Sequence, residues 1–132
     1  MVINNQVRNE IVNILANGGL KKIKFFHNGR KTFHDLEEEL PAVCVFIDES
    51  ECDEFTACED EWEGNLQIAI YLPLRSTEDD LDAIAEEISN VMKNENVDSV
   101  DGFKLKKYSY DYDPNENLWI SATLTYLINY FR

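Results

Sequence analysis

Positive charge is what this chain lacks most. Between Asp35 and Glu61 there are twelve acidic residues and not one lysine or arginine. Over all 132 residues, 12 Lys and Arg stand against 26 Asp and Glu, a net charge of −14. Binding to nucleic acid or to an anionic membrane needs clustered Lys and Arg, so neither is expected as a partner. Histidine is scarce too: His27 and His34 are the only two. There is no phosphate loop, dinucleotide fingerprint, Gly-x-Ser-x-Gly elbow or His-Glu-x-x-His, which removes the motif-defined enzyme classes. No apolar run reaches the roughly 18 residues that would span a bilayer. The N-terminus, Met-Val-Ile-Asn-Asn-Gln-Val-Arg, has neither the basic nor the apolar region of a secretory signal. The chain is expected to stay in the compartment where it is made.

Cysteine is present but unpatterned. Cys44, Cys52 and Cys58 form no Cys-x-x-Cys pair. An odd count without a secretory signal suggests reduced thiols. Cys44 lies inside an apolar run and reads as a small core residue. Cys52 and Cys58 with His27 or His34 lack zinc-site spacing. A thiol enzyme using Cys58 or Cys52, with His34 as base, is a rival reading that sequence distances do not decide. The plainer reading puts both histidines on exposed loop or strand ends. Carboxylates are too abundant for any pair of them to argue for acid–base catalysis.

What is present fits one globular domain over residues 1–132. Apolar residues make up 44% of the chain, an ordinary share for a packed core. Asn4 or Asn5 can cap a first helix that runs to about Ala16, with Ile3, Val7, Ile11, Ile14 and Leu15 as its apolar stripe. Gly18-Gly19 ends it. Lys22–His27 reads as a short strand closed by an Asn28-Gly29 turn. Thr32–Leu40 is ambiguous, with a possible helical turn stopped by Pro41. Ala42–Asp48 is nearly all apolar, which suggests a central strand buried on both faces. Trp62–Leu72 alternates with a period of two and stops at Pro73. Ser76 or Thr77 caps a second helix, whose stripe is Leu81, Ile84, Ala85, Ile88, Val91 and Met92. A run of hairpins with helices inserted is α+β: a mixed, mostly antiparallel sheet with two helices packed on it.

Glu49–Glu61 shows no clear period and reads as an acidic connection. Counted from Asp48, Glu59 falls at the twelfth position of a calcium-loop pattern. The sixth position, which needs glycine, is Asp53, and the fifth, an oxygen-ligand position, is Cys52. One reading is a solvated hairpin connection. The other is a surface for a divalent cation or a basic partner, with Asp48, Glu49, Glu51, Asp53 and Glu54 as candidate metal ligands.

The last quarter is the most distinctive. Lys104–Tyr112 and Leu118–Tyr130 both alternate, around a Pro114-Asn115 turn. Leu118, Ile120, Ala122, Leu124, Tyr126, Ile128 and Tyr130 share one face. A dozen residues span about 40 Å at about 3.3 Å each, roughly twice a typical strand. So long a strand suggests cover from another copy.

Two stretches, Leu40-Pro-Ala-Val-Cys-Val-Phe-Ile-Asp with its continuation Trp62–Pro73, and Tyr110-Asp-Tyr-Asp-Pro-Asn-Glu-Asn-Leu-Trp-Ile-Ser-Ala-Thr-Leu-Thr-Tyr-Leu-Ile-Asn-Tyr, resemble the minor tail protein U family, the tail terminator proteins of lambda-like phages. The resemblance runs from about Arg30 to the C-terminus; the first thirty residues match only in pattern. It implies a non-enzymatic α+β subunit related in fold to tail-tube proteins. It also implies a hexameric ring of identical chains on the head-proximal end of the tail tube. That ring would end tube polymerisation and present the surface that joins the head. The implied partners are the tail tube protein and a head-completion or connector protein. The implied place is the virion tail, assembled in the host cytoplasm. No cofactor is required, and Mg2+ is implied as a promoter of ring assembly.

A ring needs a head-to-tail contact between two different patches. Arg8, Lys21, Lys22, Lys24, Arg30 and Lys31 make a basic front section in which Glu10 is the one acid. The expected contact sets Lys21, Lys22, Lys24, Arg30 and Lys31 of one copy against the Asp48–Glu61 region of the next, with Glu59, Asp60 and Glu61 as acidic candidates. The long C-terminal strand would line or extend the ring. Two further rivals remain: an acidic inhibitor that mimics DNA, and a subunit of a related secretion tube.

Overall fold

The computed structural model describes residues 2–54, 60–113 and 119–131, with residues 53 and 54 as backbone alone. In chain order the elements are α1 (Val2–Ala16), β1 (Phe25–Asn28), α2 (Leu36–Glu39), β2 (Ala42–Glu54), β3 (Asp60–Pro73), α3 (Glu78–Lys93), β4 (Gly102–Tyr112) and β5 (Trp119–Phe131). The strands form one sheet in the order β1-β2-β3-β5-β4. Only β1 pairs parallel, with β2; the other three pairings are antiparallel.

The periodic segments fold as their patterns dictate. α1 buries Ile3, Val7, Ile11 and Leu15. α3 buries Leu81, Ile84, Ala85, Ile88 and Met92. Both stripes join one core with Val43, Val45, Leu66, Ile68, Leu124 and Ile128, so the two long helices lie on the same face of the sheet. Stripping a fully buried side chain such as Ile88 to alanine would cost about 2–5 kcal/mol. Thr77 caps α3 in a reciprocal capping box: its hydroxyl accepts from the Asp80 amide and the Asp80 carboxylate accepts from the Thr77 amide. Gly19 takes a φ of 78° just beyond α1, a conformation open to glycine at low cost.

Several expectations are corrected. α1 begins at Val2, so Asn4 and Asn5 lie inside the helix. Asn4 Oδ1 accepts instead from the Tyr130 hydroxyl (2.5 Å). The first strand is narrower than Lys22–His27, and Asn28-Gly29 is not a hairpin turn. The chain passes on through α2 before entering β2, and that longer return sets β1 parallel to β2. The ambiguous Thr32–Leu40 segment holds the four-residue α2, capped by Asp35, with no buried residue. Ala42–Val45 is buried as expected, but the strand sits second from the sheet edge. The supposed acidic connection is largely strand: β2 continues to Glu54 and pairs with β3 back to Asp60, after a bulge between Ile47 and Ser50. Backbone pairing along a long hairpin overrides the poor strand propensity of its acidic side chains.

The length of β5 has an internal explanation. β3 lies along one side from Glu61 to Pro73 and β4 along the other from Gly102 to Tyr112. β5 is therefore paired on both sides over Ile120–Asn129 and does not offer that length as an edge to another copy. Its core-facing residues Ile120 to Tyr130 are buried as the alternation requires. Leu118 and the Pro114-Asn115 turn lie outside the described residues, as do Cys58 and Glu59.

Candidate assembly interface

The sheet ends in two unlike edges. On one side β1 covers only Ala42–Val45 of β2. Beyond it, Phe46–Glu51 has no strand partner on its outer side among the described residues. On the other side β4 is the last strand. The exposed large apolar side chains sort to the same two ends: Val2 and Phe25 toward the β1 side, Leu105, Tyr110 and Tyr112 on β4, and Leu74 in a groove with Tyr112.

The β2–β3 arm concentrates negative charge. Its register sets Glu51 opposite Glu63, Asp53 opposite Glu61 and Glu54 opposite Asp60. Like charges directly opposite each other destabilise a strand pair, and the Glu51–Glu63 position sets two carboxylates against each other. Nearby, a shallow cleft of about 180 Å³ is lined by Glu49, Glu51, Glu63, Asn65 and Lys106. Asn65 Oδ1 is buried there without a hydrogen-bond partner among the described residues. The calcium-loop pattern is not realised, because Asp48, Glu49, Glu51, Asp53 and Glu54 are strung along an extended strand and a loop cage needs a tight turn. Among the described residues no three His, Cys, Asp or Glu side chains come together as metal ligands.

The end of the basic front section reaches the acidic one, because β1 pairs in parallel with β2. Arg30 Nη2 donates to Asp48 Oδ1 at 2.6 Å within the same chain, with its guanidinium 4.6 Å from the Phe46 ring centroid. Gln67 Nε2 donates to the other Asp48 oxygen (3.0 Å), and the Thr125 hydroxyl donates to Gln67 Oε1 (2.5 Å). Asp48 and Arg30 are thus engaged in an intrachain polar row across β2, β3 and β5. Lys24 Nζ donates to the Glu37 carbonyl at 3.2 Å. Lys21, Lys22 and Lys31 are exposed; Arg30 lies beside Asp48, whereas Lys24, whose amide donates to the Pro41 carbonyl, sits by the start of β2, just after Lys21 and Lys22. The expected contact runs between two copies, and a single chain neither makes nor excludes it, although Arg30 is engaged with Asp48 within its own subunit.

The opposite edge holds what the sequence reading missed. Lys104, Lys106 and Lys107 are exposed on β4, and none has a carboxylate within ion-pair distance among the described residues. Their signal was present as Lys-Leu-Lys-Lys inside an alternating strand. Behind them, two tyrosines tie β4 to α3. Tyr110 and Tyr108 donate to Asp82 Oδ1 at 2.5 and 2.8 Å. Those bonds, Tyr110 first, hold the Asp82 carboxyl below the ordinary carboxylate range. Burial and then the hydrogen bond to Asp82 push the Tyr108 hydroxyl well up.

The thiol reading loses its chemistry where the chain is described. Cys44 is buried, and burial pushes its thiol up to about 11, the reverse of a nucleophilic cysteine. His27, its register partner across β1–β2, has its pKa lowered by burial first and then by Lys31. His34 and Cys52 are exposed on separate elements, and Cys58 lies outside the described residues. On the sheet face away from the helices, Phe33, Tyr71 and Trp119 pack with successive centroids 5.1 Å apart.

A model of the family described as phage minor tail protein U matches residues 2–130. The tail tube terminator protein of Escherichia phage lambda is 33% identical over 108 residues, covering 80% of this chain and 82% of that protein. A chain in a solved virion of a native gene transfer agent particle overlays with a TM-score of 0.48 at 7% identity, over 93% of this chain and 90% of that one. The first two matches define the class: a structural protein of the phage tail, located in the virion tail. Within that class the chain belongs to the phage minor tail protein U family. The match begins at residue 2, so the resemblance extends through the first thirty residues as well.

Proposed function

We propose that this protein closes into a hexameric ring on the head-proximal end of the tail tube, ends tube polymerisation there, and presents the surface that joins the head. The observation that carries this reading is the family match over nearly the whole chain, together with the identity to the lambda tail tube terminator. The geometry supports it in one respect: a sheet with two open, unlike edges suits head-to-tail contacts, which generate rings when the rotation closes. The work done is geometric, by shape and charge, with no bond made or broken.

The residues of one chain that are described do not converge on a magnesium ion, and no step of this function runs through one. A divalent cation would still relieve carboxylates that face each other along the β2–β3 arm. Sedimentation velocity at low ionic strength, with and without millimolar magnesium, tests the reading. The expected result is a monomer or mixture that shifts to a ring with magnesium, visible by negative-stain electron microscopy. A fixed monomer at every concentration and salt, on and off purified tail tubes, would overturn it. The DNA-mimic reading is disfavoured because a mimic spreads acids along one extended face, whereas here lysines occupy the edge opposite the acidic arm.

A further inference from the structure

The two open edges differ in charge, and the difference selects a partner. β4 offers an eleven-residue edge, Gly102–Tyr112, with Lys104, Lys106 and Lys107 exposed along it. The outer side of β2 offers a shorter edge, Phe46–Glu51, with no strand on it among the described residues and with Glu49 and Glu51 exposed. An open strand edge is a template for adding a strand from another chain. Two β4 edges meeting would set lysine against lysine. Two β2 edges would set carboxylate against carboxylate. Only β4 against β2 brings unlike charges together, and such patterning sets orientation and excludes wrong pairings. The bulges in β2 and β4, at Ile47/Ser50 and Leu105/Lys107, further discourage indiscriminate edge pairing.

We infer that the β4 edge of one copy docks on the acidic outer edge of β2 in the next copy, with Lys104 and Lys107 as selecting residues and Glu49 and Glu51 as their counterparts. The occupant is a second copy of this chain, because the charge missing at each edge is the charge carried by the other. Glu49 and Glu51 then gain cations that, among the described residues, their own subunit does not bring within ion-pair distance. Lys106 is left out of the selecting pair because it borders the cleft that holds Glu49 and Glu51 of its own chain, whereas Lys107 lines a groove with Arg30 and Asp48. The contact is heterologous by construction: a β4–β4 or β2–β2 dimer about a twofold axis is disfavoured. This inference rests on the ring reading above and names the surfaces through which the ring closes.

Charge-swap complementation tests it. One variant carries Lys104→Glu and Lys107→Glu; the other carries Glu49→Lys and Glu51→Lys. Each alone sets like charges against like at every contact. Each should sediment as a folded monomer where the wild type forms rings, with at least roughly tenfold weaker association per contact. An equimolar mixture has complementary edges at every contact and should recover rings of alternating copies. Circular dichroism checks folding. If glutamates on β4 unfold it, the neutral pair Lys104→Gln and Lys107→Gln should still weaken association. Rings from either charge-swap variant alone at wild-type concentrations, or a mixture of two folded variants that stays monomeric, would overturn the inference while leaving the ring reading intact. A wild type that never assembles, free or on tail tubes, overturns both.

Discussion

Glu10 is where a single atom change should be felt far along the chain. Its carboxylate, on α1, reaches the segment that follows α3. Oε2 accepts from the Asp98 amide at 2.7 Å, and Oε1 accepts from the Ser99 amide at 3.0 Å and the Ser99 hydroxyl at 2.5 Å. Glu10→Gln keeps the shape but removes the charge, and it leaves an amide nitrogen facing a donor at one of the two oxygen positions. Hydrogen bonds to a charged group are worth roughly 1.5–3 kcal/mol where water is excluded, and much less near solvent. Glu10 is half-buried, so the three bonds together are discounted to about 1–2 kcal/mol. For a domain of this size that is a fall in Tm of about 3–8 °C.

The pH dependence gives the sharper test. Burial alone would raise the Glu10 carboxyl, but the Ser99 hydroxyl and the Asp98 and Ser99 amides outweigh it and hold the group below its ordinary value. A depressed carboxyl stabilises the fold above its unfolded-state pKa, and the contribution is lost as pH falls through the lower folded value. The stability gap between wild type and Glu10→Gln should therefore be full near pH 7, begin to close below about pH 4.3, and vanish once the folded carboxyl is protonated. Urea unfolding by circular dichroism across that range measures it, and hydrogen exchange at Asp98 and Ser99 localises it. Equal midpoints at pH 7, or a gap that stays constant with pH, would refute the reasoning.

Two other expectations are independent of assembly. A Cβ at Gly64 would lie 2.9 Å from Ser50 Oγ and 3.0 Å from the Glu49 carbonyl, beside the β2 bulge. Gly64→Ala should thus cost about 1–3 kcal/mol, read as a lower urea midpoint at unchanged m-value. In a Cys52→Ser, Cys58→Ser variant, the Cys44 thiol, raised to about 11, should react with a disulfide reagent at pH 8 at least about a hundredfold more slowly than an ordinary cysteine, from its thiolate fraction alone. Unfolding in urea should restore the ordinary rate, and rapid labelling of the native protein would contradict the burial.

Local chemistry made much of this molecule readable in one dimension. The stripe on α3, its Thr77 cap and the two faces of Trp62–Leu72 and Ile120–Tyr130 all followed from periodicity, because each depends on neighbours within a few residues. The absence of motif-defined enzyme signatures followed in the same way. What the chain could not announce was adjacency. Parallel pairing of β1 with β2 brings the end of the basic front section to the start of the acidic one and engages Arg30 with Asp48 inside the same subunit. Insertion of β5 between β3 and β4 turns a strand that looked like an assembly element into an internal one. Those outcomes depend on strand order, and strand order is decided by which faces can bury the most apolar surface together, a property of the whole chain. The lysines of β4 were visible as letters throughout. Only the sheet placed them on the free edge opposite the carboxylates.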